Sequence, residues 1–583
     1  MAMFPSLFEA VTREMTFTLF KSGRSSVLNT CRDFSSAIIT GDGHLFMIEE
    51  GIPVHVGAIN LVVQEALKYF DDLMPGDCIM NNCPYTGNTH HADVTLSVPV
   101  FHDDELVFWV VNRAHQADIG APIPSMYLPY AKEIYEEGLH FPCLRVQRDY
   151  RDLKDIIRMC RMKIRVPDQW YGDYLAQIGA VRIGERRVAE LLNKHGISKL
   201  KIFVEDWLNY SEQLVIKSIR GLPKATLKRE IKYDPVPSVA TEGIPLKVEI
   251  TIDPEAPNIT VDLTDNIDNL PCGLNLSYAT TLAAVYSGIF FNLDPDIPHN
   301  EGSLRHITVK VAEGKIAGIP KHPVGTSVAT TNLCDRLFNL VWSAFGQLGM
   351  GHGKAESLSG VAATCFIASG TDWRRGGRPF INQFNAPAAY GGPASYGHDG
   401  WVTFIGPCVS GVMNLDSIEL TEQRFPIIFD CSELMPDSGG AGQWDGAPGS
   451  ITIYGPRKNP MTCAWIDDAH VYPPRGILGG ESGLRHQIFK IDVEGREKAL
   501  PVFGLEILQP GEKMMSILGG SGGYGSPLDR DPELVRKLAK AEWITLKRAR
   551  EVYGVMLKTE TERFEVDYEA TERLRRKMRG ERI

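Results

Sequence analysis

The chain has 583 residues, 43% of them hydrophobic and 23% charged, with a formal net charge of −11. That length exceeds one ordinary domain, and the composition is that of a globular protein. The acidic balance, with no lysine/arginine stripe interleaved with aromatics, excludes a general nucleic-acid binder, and no apolar run reaches the roughly 18 residues of a spanning helix.

The N-terminus has no basic region leading into a cleavable apolar core, so no secretion signal is read there. The 11 cysteines are scattered and none forms C-x-x-C. They predict neither a zinc ribbon nor a disulfide framework, but buried, reduced thiols in a cytoplasmic protein.

In chain order, residues 8–21 read as a helix, with Phe8, Val11, Met15 and Leu19 on one face. Strands at 35–39 and 44–48 flank Gly41-Asp42-Gly43, a hairpin signal. A second helix is predicted over 58–71, then a strand over 78–81 and a polar loop over 82–91. Residues 94–101 alternate apolar and polar, Asp103-Asp104 turns the chain, and 106–112 returns as the partner strand. Helices follow over 152–165 and 171–195. Residues 246–252 and 259–263 alternate with period two, as half-buried strands do. Helices are predicted over 278–291 and 330–348, a long irregular stretch over 370–400, a β-rich region over 436–518 and a charged helical segment over 531–554. These elements predict a mixed α+β, multidomain protein. Its expected parts are a metal-binding domain (1–230), a mixed middle domain (231–430) and a β-rich C-terminal domain with a terminal helix (431–583).

The densest chemistry lies at the ends of the 94–112 hairpin. Asn88-Thr89-His90-His91-Ala92-Asp93 enters its first strand, and Asn112-Arg113-Ala114-His115-Gln116-Ala117-Asp118 leaves its second. In an antiparallel pair those positions share one end of the sheet. His90, Asp93 and His115 thus become candidate ligands for one divalent transition metal, with Asp118 and Asp33 as a further ligand or as partners of the imidazoles. Imidazole and carboxylate suit Zn, Mn, Fe or Co alike. Three protein ligands leave positions open for water or substrate. The competing reading is hydrogen-bonded histidines and loop-capping aspartates at strand ends. His91 is expected to point the opposite way.

Other motifs exclude more than they propose. The glycine runs at 519–525 and 439–442 lack the Walker pattern and open no helix after a strand, so they read as tight turns that allow close backbone packing. No G-x-S-x-G elbow is present. Glu136-Glu137 before Gly138 reads as a general base or, more simply, as a solvated cap.

Several motifs also follow one another in a known order: Arg32-Asp33-Phe34-Ser35, Ile52-Pro53-Val54-His55-Val56-Gly57, the two histidine segments, Ile134-Tyr135-Glu136-Glu137-Gly138-Leu139, Gly172-Asp173, Pro436-Asp437-Ser438-Gly439-Gly440-Ala441-Gly442 and Gly522-Gly523-Tyr524-Gly525. Together they resemble the hydantoinase B family, whose members include subunits of ATP-dependent hydantoinases, lactamases, 5-oxoprolinases and acetone or acetophenone carboxylases. The resemblance implies a hydantoinase A-type ATPase partner, with or without a small third subunit, which consumes ATP to phosphorylate the substrate oxygen. The B-type chain then completes the reaction at a divalent metal. It carries the metal ligands over to His90, Asp93 and His115, with Asp33 and Asp118 beside them, and leaves His55 and Glu136 as candidate proton carriers. The implied function is the metal subunit of an ATP-dependent cyclic amidohydrolase acting on hydantoins, lactams or oxoproline. A ketone carboxylase subunit and a non-catalytic scaffold for the ATPase are the alternatives. No nucleic-acid or membrane partner is implied.

Overall fold

The computed structural model describes residues 3–359, 365–385, 391–402, 404–408, 414–558 and 564–581. The chain opens with α1 (Phe4–Ser22), whose Phe8, Met15 and Leu19 are buried, as the spacing predicts. A seven-stranded sheet follows. Its strands are β1 (Phe34–Thr40), β2 (Leu45–Glu49), β3 (Cys78–Asn81), β4 (Asp93–His102), β5 (Glu105–His115), β6 (Leu144–Arg148) and β7 (Arg151–Asp152), and they lie in the order β2-β1-β5-β4-β3-β6-β7.

Both faces of this sheet are covered. On one side α2 (Leu61–Tyr69) sets Val62, Val63 and Ala66 against Ala37, Ile39, Trp109 and Val111. On the other, α1 and α4 (Pro167–His195) pack on Phe34, Ile38, Leu96 and Val110. The α1–α4 approach requires Gly184, where an added Cβ would lie 2.5 Å from both Met15 Sδ and Val110 Cγ1. Helices α3 (Lys154–Lys163) and α5 (Ile197–Arg220) flank α4. The second of these carries no expectation from the sequence.

A four-stranded sheet comes next, from β8 (Ala225–Tyr233), β9 (Ile244–Asp253), β10 (Asn258–Asp262) and β11 (Ile307–Lys310). The alternating burial of β9 is the period two read from its sequence. The helix expected over 278–291 is α6 (Tyr278–Phe290). The one expected over 330–348 is helical from Leu333–Ala344, with a 3₁₀ turn at Phe345–Leu348.

The 370–400 stretch differs from expectation. Cys365–Asp372 and Arg378–Asn385 form an antiparallel pair through a turn at Trp373–Arg375, where Gly376 and Gly377 take left-handed φ of 72° and 75°. Residues 386–390 lie outside the described residues. This pair is joined by Met461–Ile466 and Phe503–Leu508 in one sheet, so strands on both sides of the expected 430/431 boundary share hydrogen bonds. The expected 230/231 boundary falls inside β8. A five-stranded sheet of Ile427–Leu434, Ser450–Pro456, Gln487–Ile491, Glu497–Ala499 and Lys513–Leu518 shares a core with it, through Phe366, Phe384, Tyr454, Trp465 and Met514.

The glycine runs pack backbone on backbone. A Cβ at Gly440 would sit 2.3 Å from the Glu481 carbonyl, and one at Gly520 would sit 2.4 Å from the Gly439 Cα. Helices at Pro532–Lys540, Leu546–Glu551 and Tyr568–Met578 close the chain. No helix among the described residues is long and apolar enough to cross a membrane.

Candidate metal centre

Register builds the site. Antiparallel pairing puts Asp93 opposite His115, and Ser35 and Thr95 on either side of Arg113. One step further along, the His115 N–H donates to the Asp33 carbonyl at 3.1 Å. Asp33, His115 and Asp93 therefore form one row across three adjacent strands, and Ser35, Arg113 and Thr95 form the row beneath. The period of two aims both rows at the face that carries α2. Deeper along that face the rows turn apolar, at Ala37, Val111, Ile39 and Trp109.

The loop before β4 is shaped by Asn88. Its side-chain amide donates to the carbonyls of His90 (2.9 Å) and Asp93 (2.8 Å), and its oxygen accepts from Thr95 Oγ1 at 2.7 Å. Thr95 Oγ1 in turn accepts from Arg113 Nε at 3.0 Å. Burial lowers the pKa of that guanidinium to about 10, and its tie through Thr95 to Asn88 fixes the curl that swings His90 over the row.

His90 Nε2, Asp93 Oδ1 and His115 Nδ1 form a triangle with sides of 3.1, 3.1 and 3.3 Å. A single cation at bond lengths of about 2.0–2.2 Å can span a triangle of that size. His90 Nδ1 lies 2.9 Å from the Ser327 carbonyl, which only accepts, so Nδ1 carries a proton. In the neutral ring, Nε2 then turns a lone pair toward a carboxylate oxygen and a second imidazole nitrogen. That arrangement calls for positive charge between them. Electrostatics agree: burial opposes a charge on His90, yet Asp93 beside it and the hydrogen bonds around it hold its pKa above the ordinary value. Burial pushes Asp93 up, but the His90, His115 and His55 imidazoles around it bring it well below the carboxylate range.

The second carboxylate oxygen, Asp93 Oδ2, accepts from Thr89 Oγ1 and faces His55 Nε2 at 3.5 Å. His55 ends the short 3₁₀ turn Pro53–His55, with Nδ1 at 2.9 Å from Ser35 Oγ. Burial drives its pKa down to about 4. Asp33 completes the group, and burial pushes it up to about 6. Asp33 Oδ1, His55 Nε2 and His115 Nε2 are buried without a hydrogen-bond partner. Two sets converge here, His90/Asp93/His115 and Asp33/His55/Asp93, each with its donor atoms within 4.8 Å of one another. These orphaned atoms and this donor set fit a divalent transition metal. Tyr127 stacks on both rings, with centroids 6.0 Å from His90 and 5.6 Å from His115.

Two expected residues lie elsewhere. Asp118 is buried, but Oδ1 accepts from the Gly120 N–H (3.0 Å) and Arg165 Nη1 (3.1 Å), and Oδ2 from the Arg165 N–H (2.6 Å). Its lone pairs serve a loop junction and do not join the cluster. Glu136 is exposed and accepts from the N–H groups of Lys132 (2.9 Å) and Glu133 (3.2 Å), a capping role. The buried member of that acidic pair is Glu137, 1% exposed, which holds His91 Nδ1 at 2.6 Å. The signal in the sequence is its spacing from Ile134: residues i and i+3 eclipse on a 3₁₀ turn, and both face inward.

The α+β scaffold gathers two histidines and an aspartate from neighbouring strand ends into a group that could hold a metal ion. A sequence model described as Hydantoinase B/oxoprolinase matches residues 1–527, and the chain belongs to that family. It is 29% identical over 563 residues to the beta chain of caprolactamase from Pseudomonas jessenii, covering 96% of each. The putative D-/L-hydantoinase B chain of Pseudomonas sp. strain NS671 is 27% identical over 97% of this chain and 96% of that one. The 5-oxoprolinase 1 of Arabidopsis thaliana is 26% identical over 90% of this chain, which corresponds to 42% of that protein. Among solved structures, the ATP-dependent caprolactamase of Pseudomonas jessenii superposes with a TM-score of 0.90 at 27% identity, over 98% of both chains. An acetone carboxylase structure shares the fold, with a TM-score of 0.86 at 18% identity over 99% of this chain and 82% of that one.

Proposed function

We propose that this chain is the metal-bearing subunit of an ATP-dependent cyclic amidohydrolase, completing hydrolysis of a ring amide whose oxygen a partner ATPase has phosphorylated. The convergence of His90 Nε2, Asp93 Oδ1 and His115 Nδ1 within 3.3 Å carries the reading. The full-length likeness to the caprolactamase and hydantoinase chains supports it. A partner chain and the use of ATP are supported by the caprolactamase relative, whose matching chain is a beta subunit and whose solved structure is of an ATP-dependent enzyme. A cytoplasmic setting belongs to the same reading, since buried thiols such as Cys78 and Cys463 suit a reducing compartment.

A divalent cation held by His90, Asp93 and His115, with Asp33 beside them, would supply Lewis acidity and lower the pKa of water. The chain's own residues do the rest. Asn88 and Thr95 hold the ligand loop, Asp33 and Asp93 supply negative charge, and Tyr127 walls off the imidazoles. Water adds to the activated ring carbon, and its proton passes to His55 Nε2, a buried ring nitrogen with no hydrogen-bond partner of its own. The ring C–N bond then breaks as nitrogen takes a proton, and the acyl phosphate left behind hydrolyses with a second water.

The test is reconstitution with an A-type ATPase partner, ATP and a panel of lactams, hydantoins and 5-oxoproline. Ring opening with matched phosphate release, lost on removal of the metal, is the expected result. Incorporation of labelled bicarbonate into a ketone substrate would replace this reading with the carboxylase one. Full activity after His90→Ala and His115→Ala would leave only a scaffold.

A further inference from the structure

We infer that Glu137 is a positioning residue for the metal centre, acting on His90 through a backbone carbonyl rather than by touching the metal or the substrate. The inference rests on the proposed metal reading. Glu137 Oε1 accepts from the N–H groups of Thr326 (2.5 Å) and Ser327 (2.8 Å). The Ser327 carbonyl is the acceptor for His90 Nδ1 at 2.9 Å. The other carboxylate oxygen, Oε2, takes His91 Nδ1 at 2.6 Å. Two adjacent imidazoles are therefore closed into one ring of contacts by a single buried carboxylate. His91 is tied to it directly, and His90 through the 326–327 segment.

The segment has no slack with which to wander. Ser327 Oγ donates to the Met126 carbonyl at 3.1 Å and accepts from the Leu128 N–H at 3.0 Å. At Gly325 an added Cβ would stand 2.3 Å from the Ala131 carbonyl and 3.0 Å from Glu137 Oε1, so the backbone is pressed onto the carboxylate. Fixing the Ser327 carbonyl fixes two properties of His90. One is the tautomer, with the proton on Nδ1 and the lone pair on Nε2. The other is the ring plane, which aims that lone pair at the point shared with Asp93 and His115. An outer partner that orients a ligating histidine is commonly worth about 10–100-fold in metal affinity. Glu136, its exposed neighbour, has no such link.

The experiment measures the dissociation constant for Zn²⁺ by chelator competition on the full chain in its complex, together with the visible spectrum of the Co²⁺-loaded protein. Glu137→Ala is expected to weaken Zn²⁺ binding about 10–100-fold. Glu137→Gln keeps one oxygen for both N–H groups, and a loss of about 3–10-fold is expected, with a shifted Co²⁺ band. Glu136→Ala is expected to match the wild type. Zn²⁺ affinities within twofold of wild type for both Glu137 variants would overturn the inference, and so would an equal loss at Glu136→Ala. If Glu137→Ala does not fold, the glutamine variant decides. A wild-type chain that binds no Zn²⁺ would overturn the metal reading itself, and this inference with it. Tight wild-type binding abolished by His90→Ala but untouched at Glu137 would overturn this inference alone.

Discussion

Among the described residues two buried clusters set histidines around an aspartate, and they differ in how the carboxylate is shared. Around Asp93, two imidazole nitrogens meet on the same oxygen and lie 3.3 Å from each other. Around Asp467 each imidazole has its own oxygen, with His470 Nε2 at 3.0 Å from Oδ2 and His486 Nδ1 at 2.9 Å from Oδ1. The neighbouring acids there are also served. Asp234 accepts the N–H groups of His470, Val471 and Tyr472, and Asp468 pairs with Arg336. One cluster gathers its donor atoms around a common centre, and the other spreads its imidazoles over two carboxylate oxygens, with His486 Nε2 buried and unpartnered on the far side of its ring. A count of histidines and acids does not separate the proposed metal site from the second knot; the sharing of one oxygen sets them apart.

The sharpest break of that comparison comes from the first cluster. His90→Ala or His115→Ala should remove the metal and lower ATP-dependent ring opening by about 10³-fold or more, read by elemental analysis and product formation. His486→Ala should do the reverse. Metal content should stay at the wild-type level while stability falls by about 3 kcal/mol, because Asp467 is left buried with one imidazole. Denaturant melts with metal analysis check it, and metal loss in this variant would erase the distinction.

Acid probes the same knot more gently. Burial pushes the Asp467 carboxyl up, but His486 and His470 more than reverse this and hold it at about 2. A depressed folded pKa contributes stability above the ordinary value of about 4, and loses it as pH falls from about 4 toward 2. The contribution is on the order of 2 kcal/mol and should disappear from the pH–stability curve of Asp467→Asn. Asp118→Asn should have the smallest effect. It removes one acceptor from Arg165, costs about 1 kcal/mol, and leaves metal affinity unchanged.

Much of the centre is legible along the chain. The 94–101 and 106–112 strands, with Asp103-Asp104 between them, set an antiparallel pair, and pairing alone brings Asp93 opposite His115. Asp33 is a candidate by its chemistry and by a motif, but no spacing in the sequence sets its place. Its place depends on β1 pairing with β5 rather than lying apart with β2 as an isolated hairpin. Asp118 misleads because spacing from His115 says nothing of Arg165, which reaches it across 47 positions of sequence. Helix α5 escapes the sequence reading, although its buried Leu200, Phe203, Val204, Leu208, Ser211, Val215 and Ile219 follow helical spacing. Glycine and proline around a tight turn hide the strands at Cys365–Asp372 and Arg378–Asn385.

The sequence by itself determined the alternation that aims Asp93 and His115 at one face, the turn that pairs their strands, and the backbone-close glycine packing. Those are local matters of sterics and period. Only the tertiary structure decided which buried polar groups were left with unshared lone pairs. Hydrogen-bond partners come from anywhere in the chain: Ser327 reaches His90 across 237 positions and Glu137 across 190. Whether a carboxylate is spent or available depends on that whole account, which no window of sequence contains.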